Sequence, residues 1–296
     1  MIVITVGKTY IDIDGYASAI AYRELLKLQG IESRFVSNAV LNYSITPSLL
    51  DLPYTIDSYE VSSGDKFIIL DLSNKEFFPD FVREDNIAEI IDHHPGYEEY
   101  WESRLGSNSI IESVGSVATI IFEKYEELGY EIDINIAKLL MAAILDNTLN
   151  FTAKITTERD KKAYNKLSKI TNCYNYSEIY FSECQSIIES NLEESIKNDI
   201  KIQKVNEYLP EVFGQLTIYN IEKISIDKIK EIMNSFGSKW IINIISLAYN
   251  TSYILCSDND IKEKVNMVFN VDSANNTLII KPAKLRKEII KAALSK

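Results

Sequence analysis

Histidine is nearly absent from this chain: 296 residues contain two, and they are neighbours, His93 and His94. Imidazole chemistry is therefore confined to one point of the sequence. Cysteine is also scarce. Cys173, Cys184 and Cys256 are odd in number and lack a CxxC spacing, which excludes a disulfide framework and a thiolate zinc site. Basic residues are outnumbered, 31 Lys and Arg against 43 Asp and Glu, for a net charge of -12. That balance excludes general nucleic-acid binding, which draws most of its affinity from Lys and Arg on phosphates. No apolar run approaches the roughly 18 residues of a membrane span. The first residues, Met1 to Val6, show neither a basic leader nor a small-residue cleavage site, so a cytoplasmic location is expected.

What is present suits a globular α/β protein: 46% of residues are hydrophobic and 25% charged, and the length fits two domains. Short β-rich runs alternate with helical patterns through the first half, as in a parallel sheet covered by helices on both faces. Strands are expected at residues 2–6, 34–36, 67–70 and 88–91, and helices at 16–28, 115–128 and 134–145. A charged helix follows Thr156 and stops at the polar stretch 171–176. The boundary is placed after one more helix, giving domains 1–188 and 189–296. In the second, smaller α/β domain, strands are expected at 215–219, 240–248 and 253–256 and a helix at 226–236. A hairpin turning near Asn275-Asn276 is expected between 268–271 and 277–280, and a basic helix closes the chain.

Carboxylates gather where the predicted strands end, the edge at which open α/β sheets bind ligands. Asp12 and Asp14 are two residues apart, so in an extended segment their side chains point the same way and could serve adjacent cations. Either alone is as well explained as a helix cap before Gly15, and Asp71 alone as a turn residue. Asp146 follows the apolar run 139–145 and needs a cation, several donors or exposure to offset burial. Isolated histidines are usually structural. Here Asp92-His93-His94 follows a strand and is surrounded by such aspartates, which favours a metal site. Carboxylates with one neutral imidazole suit Mn²⁺, Mg²⁺ or Co²⁺.

These segments resemble the DHH phosphoesterase superfamily, and within it the manganese-dependent (family II) inorganic pyrophosphatases and their exopolyphosphatase relatives. The resemblance is carried in order by Asp12-Ile13-Asp14 with Ser18-Ala19, by Asp71, by Ile91-Asp92-His93-His94, by Glu112 to Ser116 with Ala118-Thr119, and by Asp146 to Phe151. It implies a DHH domain followed by a DHHA2-type domain, with substrate caught between them. The second half is matched more loosely, through Asp199-Ile200-Lys201 and the basic carboxyl end, and has no Gly-Gly-Gly-His segment. The resemblance further implies one Mn²⁺ on Asp14, Asp71, His93 and Asp146 and a second on Asp12 and Asp71, with His94 facing the phosphate and Asp92 supporting it. Two cations roughly 3.5 to 4 Å apart can then generate a hydroxide for in-line attack on phosphorus.

The chain departs from that pattern twice. The pyrophosphatases carry a histidine four residues before the first Asp of the pair, where this chain has Lys8, and a protonated Lys has no lone pair for a metal. The exopolyphosphatase branch carries Asn there. The expectation is a compromised first metal site in which the Lys8 ammonium supplies part of the missing charge, beside a usable second one. The family's last ligand Asp directly precedes a Thr; aligning on Thr148 puts Asn147 in that position and Asp146 one residue early. Asp146 is kept as the ligand. Near the carboxyl end, Lys284, Lys287 and Lys291 would share one helix face and Leu285, Ile289 and Ala292 another. The related pyrophosphatases hold phosphate with a similar basic segment, which makes Arg286, Lys287 and Lys201 the substrate-binding candidates.

The expected activity is a metal-dependent phosphohydrolase that cleaves a phosphoanhydride, pyrophosphate first, with His94, Asp71 and Lys8 at the reaction centre. The alternatives are short polyphosphate or a small phosphoester as substrate, or a phosphate-ligand binding protein whose catalysis has weakened. The partner is a small phosphorylated anion, with no nucleic acid and no membrane, and a homodimer is left open.

Overall fold

In this computed structural model the described residues are 1–271, 273–274 and 276–296. The chain divides into two compact units, Met1–Tyr180 and Phe181–Lys296, and the division falls within the helix Tyr176–Ser190.

The first unit is built on a five-stranded sheet in the order Ser33–Phe35, Ile2–Thr5, Lys66–Leu70, Ile87–Asp92, Ser109–Ile111, every pair parallel. Parallel strands buried on both faces read as continuous apolar runs rather than alternating ones. Ile2 to Ile4, Phe67 to Leu70 and Ile90-Ile91 are such runs, and alternate side chains leave on opposite faces. Val3, Phe67, Ile69 and Ile90 pack with Trp101 of the helix Glu98–Leu105. Ile4, Ile68, Leu70 and Ile91, also buried, point the other way. The helix Ile13–Leu28 packs against Val117–Leu128 and Ile134–Asn147 and touches the Ile2–Thr5 and Lys66–Leu70 strands. Helices therefore cover the sheet as the sequence implied. The helix Glu98–Leu105 and the edge strand Ser109–Ile111 were not anticipated, because their runs are short and weakly patterned.

The second unit has a mixed six-stranded sheet in the order Ser273–Ala274, Thr277–Ile280, Thr251–Cys256, Trp240–Ser246, Val212–Ile218, Ile200–Ile202. Only Trp240–Ser246 with Val212–Ile218 is parallel. One apolar core gathers around Trp240, Ile242 and Met233 and another around Ile241, Ile254 and Val265. One expectation is corrected here. Val268 belongs to the helix Asn259–Phe269, in which Ile261, Val265 and Val268 line the buried stripe after the Asp258 cap, so the strand expected at 268–271 is displaced to Ser273–Ala274. The helical spacing of three apolar residues outweighs their β-branched character. Asn275 of the expected turn lies outside the described residues. The closing helix spans Arg286–Leu294, because Glu288 accepts the Leu285 backbone N–H at 3.0 Å; Lys284 and Leu285 therefore precede it instead of sharing its faces.

One loop shows how tightly the first unit is closed around its edge. Asp160 is fully buried, and its carboxylate accepts from Gly115 N at 3.0 Å, Thr119 Oγ1 at 2.7 Å, and Thr157 N and Oγ1, both at 2.7 Å. A Cβ on Gly115 would lie 2.7 Å from both Asp160 Oδ2 and Thr148 Cγ2. Gly115→Ala is therefore predicted to destabilise the protein by at least ~2 kcal/mol in urea unfolding, since neither neighbour is the free end of a flexible chain. Gly64→Ala, with nothing within 4 Å of its Cβ, is the control, expected to be neutral or slightly stabilising.

Candidate metal centre

Each acidic candidate of the first unit is positioned by the end of an element. Asp12 is the cap of the helix Ile13–Leu28, and its Oδ1 accepts from Gly15 N at 3.1 Å. This is the capping role the sequence allowed. Asp71 directly follows the strand Lys66–Leu70 at φ 58°, a left-handed conformation that Asp tolerates better than most residues. Its N–H is held by Ile91 O at 2.9 Å. A Cβ on Gly15 would stand 3.5 Å from Asp71 Oδ2, so the bare glycine lets that carboxylate approach the helix start. The buried indole of Trp101 donates to Ser73 O at 2.7 Å, fixing the loop beyond Asp71.

The strand Ile87–Asp92 delivers the histidines. Asp92 is buried, and its Oδ1 accepts from His93 N at 2.7 Å, His94 N at 3.2 Å and His94 Nδ1 at 2.8 Å. Burial works against the Asp92 charge, but the His94 bonds outweigh it and hold the carboxyl below the usual range. With Nδ1–H engaged, His94 presents Nε2, and its side chain is 61% exposed. His93 is nearly buried, and its Nδ1 lies 3.0 Å from Val114 O. A carbonyl only accepts, so Nδ1 carries the hydrogen, and Nε2 is left 3.4 Å from Asp71 Oδ1 without a hydrogen bond.

Asp71 Oδ1 and His93 Nε2 are both buried and unpartnered. Buried polar atoms are rarely left so, and a ring nitrogen whose opposite N–H is fixed on a backbone carbonyl is the usual setting of a metal-ligating histidine. Asp71, His93 and His94 can bring one ligand atom each within 4.8 Å of one another. Burial, then the nearby Asp14 and Asp12, push the Asp71 carboxyl well above its usual range. The same crowding acts on His93: burial pulls its imidazole down, but Asp71 and Asp14 outweigh this and push it up to about 10. The cluster thus lacks positive charge, and a divalent cation between Asp71 and His93 fits it.

The remaining candidates stand differently. Asp14 is completely buried and accepts from Ser116 Oγ at 2.8 Å, Ala118 N at 2.9 Å, Val117 N at 2.9 Å and Ser18 Oγ at 3.3 Å, and also from Asn147 Nδ2. Asp146 is turned to Tyr180, whose hydroxyl lies 3.0 Å from both Asp146 Oδ1 and Ser44 O. Lys8 lines the cleft beside the cluster, a cavity of about 510 Å³ that Asp12, Asp71 and His94 also line. Its ammonium is 3.6 Å from the exposed Asp80. In the second unit, Lys201 and Lys287 are exposed, whereas the Arg286 guanidinium binds Asp199 through both its carboxylate and its carbonyl. Sequence reading missed Val114, Asn147, Tyr180 and Asp160 as positioning groups. Only Asp160 left a local sign, the Thr157-x-x-Asp160 capping box.

Residues 2–144 match the DHH family, N-terminal domain, and the chain is a DHH family protein. Within the family it resembles the manganese-dependent (family II) inorganic pyrophosphatases and exopolyphosphatase-related proteins. It is 27% identical to a Clostridium acetobutylicum protein and 24% identical to one from Bacillus licheniformis, each aligned over 94% of this chain and 92% and 93% of the relative. Both carry the description "probable manganese-dependent inorganic pyrophosphatase". Among solved structures, a Methanococcus jannaschii protein classed with the family II inorganic pyrophosphatases superposes with a TM-score of 0.57 at 22% identity, over 99% of both chains. An exopolyphosphatase-related protein from Bacteroides fragilis does so with a TM-score of 0.53 at 16% identity, over 99% of this chain and 91% of that one. Among the described residues, no helix is long and apolar enough to cross a membrane.

Asp146 gives a prediction of defined sign. Burial, partly opposed by Tyr180, raises its carboxyl from 3.8 to about 7. The folded chain therefore holds a proton that the unfolded chain releases between those values, and stability present at low pH is lost as pH rises through about 7. Asp146→Asn in metal-free protein is predicted to raise unfolding free energy by about 2–4 kcal/mol above pH 7 and to change it little near pH 4. Urea titrations across that range check it.

Proposed function

We propose that the chain is a metal-dependent phosphohydrolase that cleaves a phosphoanhydride by attack of water on phosphorus, with pyrophosphate its first candidate substrate. The observation that carries this reading is the facing pair Asp71 Oδ1 and His93 Nε2, buried, unpartnered and 3.4 Å apart, beside the exposed ring of His94. The family and its relatives described as manganese-dependent support it. Asp71 and His93 would hold Mn²⁺, with Asp12 the nearby carboxylate still free to join; Mg²⁺ or Co²⁺ suit the same donors. A bound divalent cation supplies Lewis-acid charge against the phosphate oxygens.

The chain's own residues do the rest in this reading. Asp92 fixes the ring of His94, so that Nε2 meets the phosphate and a protonated His94 gives its proton to the departing oxygen. As the new P–O bond forms from water, the bridging P–O bond opposite it breaks and the water's proton passes to solvent. Lys8 lines the cleft, its charge shared with Asp80. Of the candidates in the second unit, Lys201 and Lys287 are exposed, whereas Arg286 is already committed to Asp199.

Phosphate release from pyrophosphate, tripolyphosphate and an aryl phosphate, each with Mn²⁺, tests the reading. Turnover of an anhydride is expected in the wild type, with a loss of at least ~10²-fold in Asp71→Asn. Binding of phosphate compounds without turnover of any of the three would instead favour a ligand-binding protein.

A further inference from the structure

We infer that Asn147 sets the metal count of this site: it locks Asp14 as an internal structural anion and leaves a centre for one cation, on Asp71 and His93. The inference rests on the cation site proposed above but not on its having hydrolytic activity.

An ionised carboxylate offers about four acceptor positions on its two oxygens. Asp14 already meets five donors. Ser18 Oγ, Ser116 Oγ and Ala118 N approach Oδ1, while Val117 N and Asn147 Nδ2 approach Oδ2. Val117 and Ala118 begin the helix Val117–Leu128, whose free N–H groups and dipole favour an anion at that point. Asp14 therefore acts as the counter-ion of a helix start, in a position with no exposure.

Asn147 closes the last access. Oδ2 is the Asp14 oxygen turned towards His93, 3.9 Å from Nε2, and it is the one that Asn147 binds. The amide must present Nδ2 there, because turning it over would set two acceptors against each other. A cation reaching Asp14 would have to expel that donor and would gain only a neutral amide in its place. The neighbouring carboxylate, Asp146, is turned to the Tyr180 hydroxyl. On the far side of the cluster, Lys8 can contribute no lone pair. Asp71 Oδ1 and His93 Nε2, buried without a hydrogen bond and 3.4 Å apart, with Asp12 beside them, make one site.

The test is Mn²⁺ binding to the full-length chain, by calorimetry and by elemental analysis after desalting. Wild type should bind one Mn²⁺ per chain, and Asn147→Asp two. Asn147→Asp should also melt lower than wild type in EDTA and gain more from Mn²⁺, because an added carboxylate beside Asp14 is repelled until a cation sits between them. Asn147→Ser, which takes the amide donor off Asp14 Oδ2 without adding a ligand, should admit a second Mn²⁺ only weakly, seen by calorimetry and lost on desalting. Two tightly held ions in wild type would overturn the inference, as would one in a folded Asn147→Asp. Should Asn147→Asp not fold, a single ion in wild type with the weak second one in Asn147→Ser supports the inference, and no second ion in Asn147→Ser overturns it. One ion in wild type without hydrolysis of any phosphate compound would sink the proposed activity and leave the metal count standing.

Discussion

The architecture of the first unit turns on a buried anion. Asp14 enters from the first turn of the helix Ile13–Leu28, and its carboxylate is met by the start of Val117–Leu128 and the end of Ile134–Asn147. Three helices thus converge on one side chain. A buried carboxylate is costly unless every lone pair is used, so these contacts fix the helices to each other. Asp160 repeats the device one layer out, holding Gly115 and Thr119 so that Ser116 to Ala118 arrive at Asp14 in register.

With Asp14 saturated, the proposed cation site falls at the strand ends. The sheet carries Asp71 and Asp92 out at the carboxyl ends of neighbouring strands, and Asp92 orients both histidines at once through one oxygen. His93 turns inward to Asp71, and His94 outward into the cleft. The two imidazoles that composition made conspicuous thus have different surroundings, one buried and one exposed, set by the alternation of side chains along an extended segment. Burial, then the nearby Asp14 and Asp12, disfavour ionisation of Asp71, so this edge is short of positive charge.

Much of this was legible in the sequence. The apolar runs at the Ile2–Thr5, Lys66–Leu70 and Ile87–Asp92 strands gave the parallel sheet, and the aspartates that follow them gave the edge. The helix Asn259–Phe269 was obscured because its end is β-branched and apolar. The choice between Asp146 and Asn147 was not legible for a different reason. Consecutive residues on a helix point about 100° apart, so a shift of one position sends one side chain to Tyr180 and the other to Asp14. Sequence can place both at the site but cannot say which looks in. Arg286 shows the same limit, because a basic residue in a basic segment reads as free until its partner, Asp199, is known from the fold.

The account rests on a cation at Asp71 and His93, and diffraction at the manganese edge from crystals grown with Mn²⁺ tests that most directly. It predicts a single anomalous peak within bonding distance of Asp71 Oδ1 and His93 Nε2, with Asp14 still bound to Asn147. A peak coordinated by Asp14, or none at the Asp71–His93 pair, would contradict it.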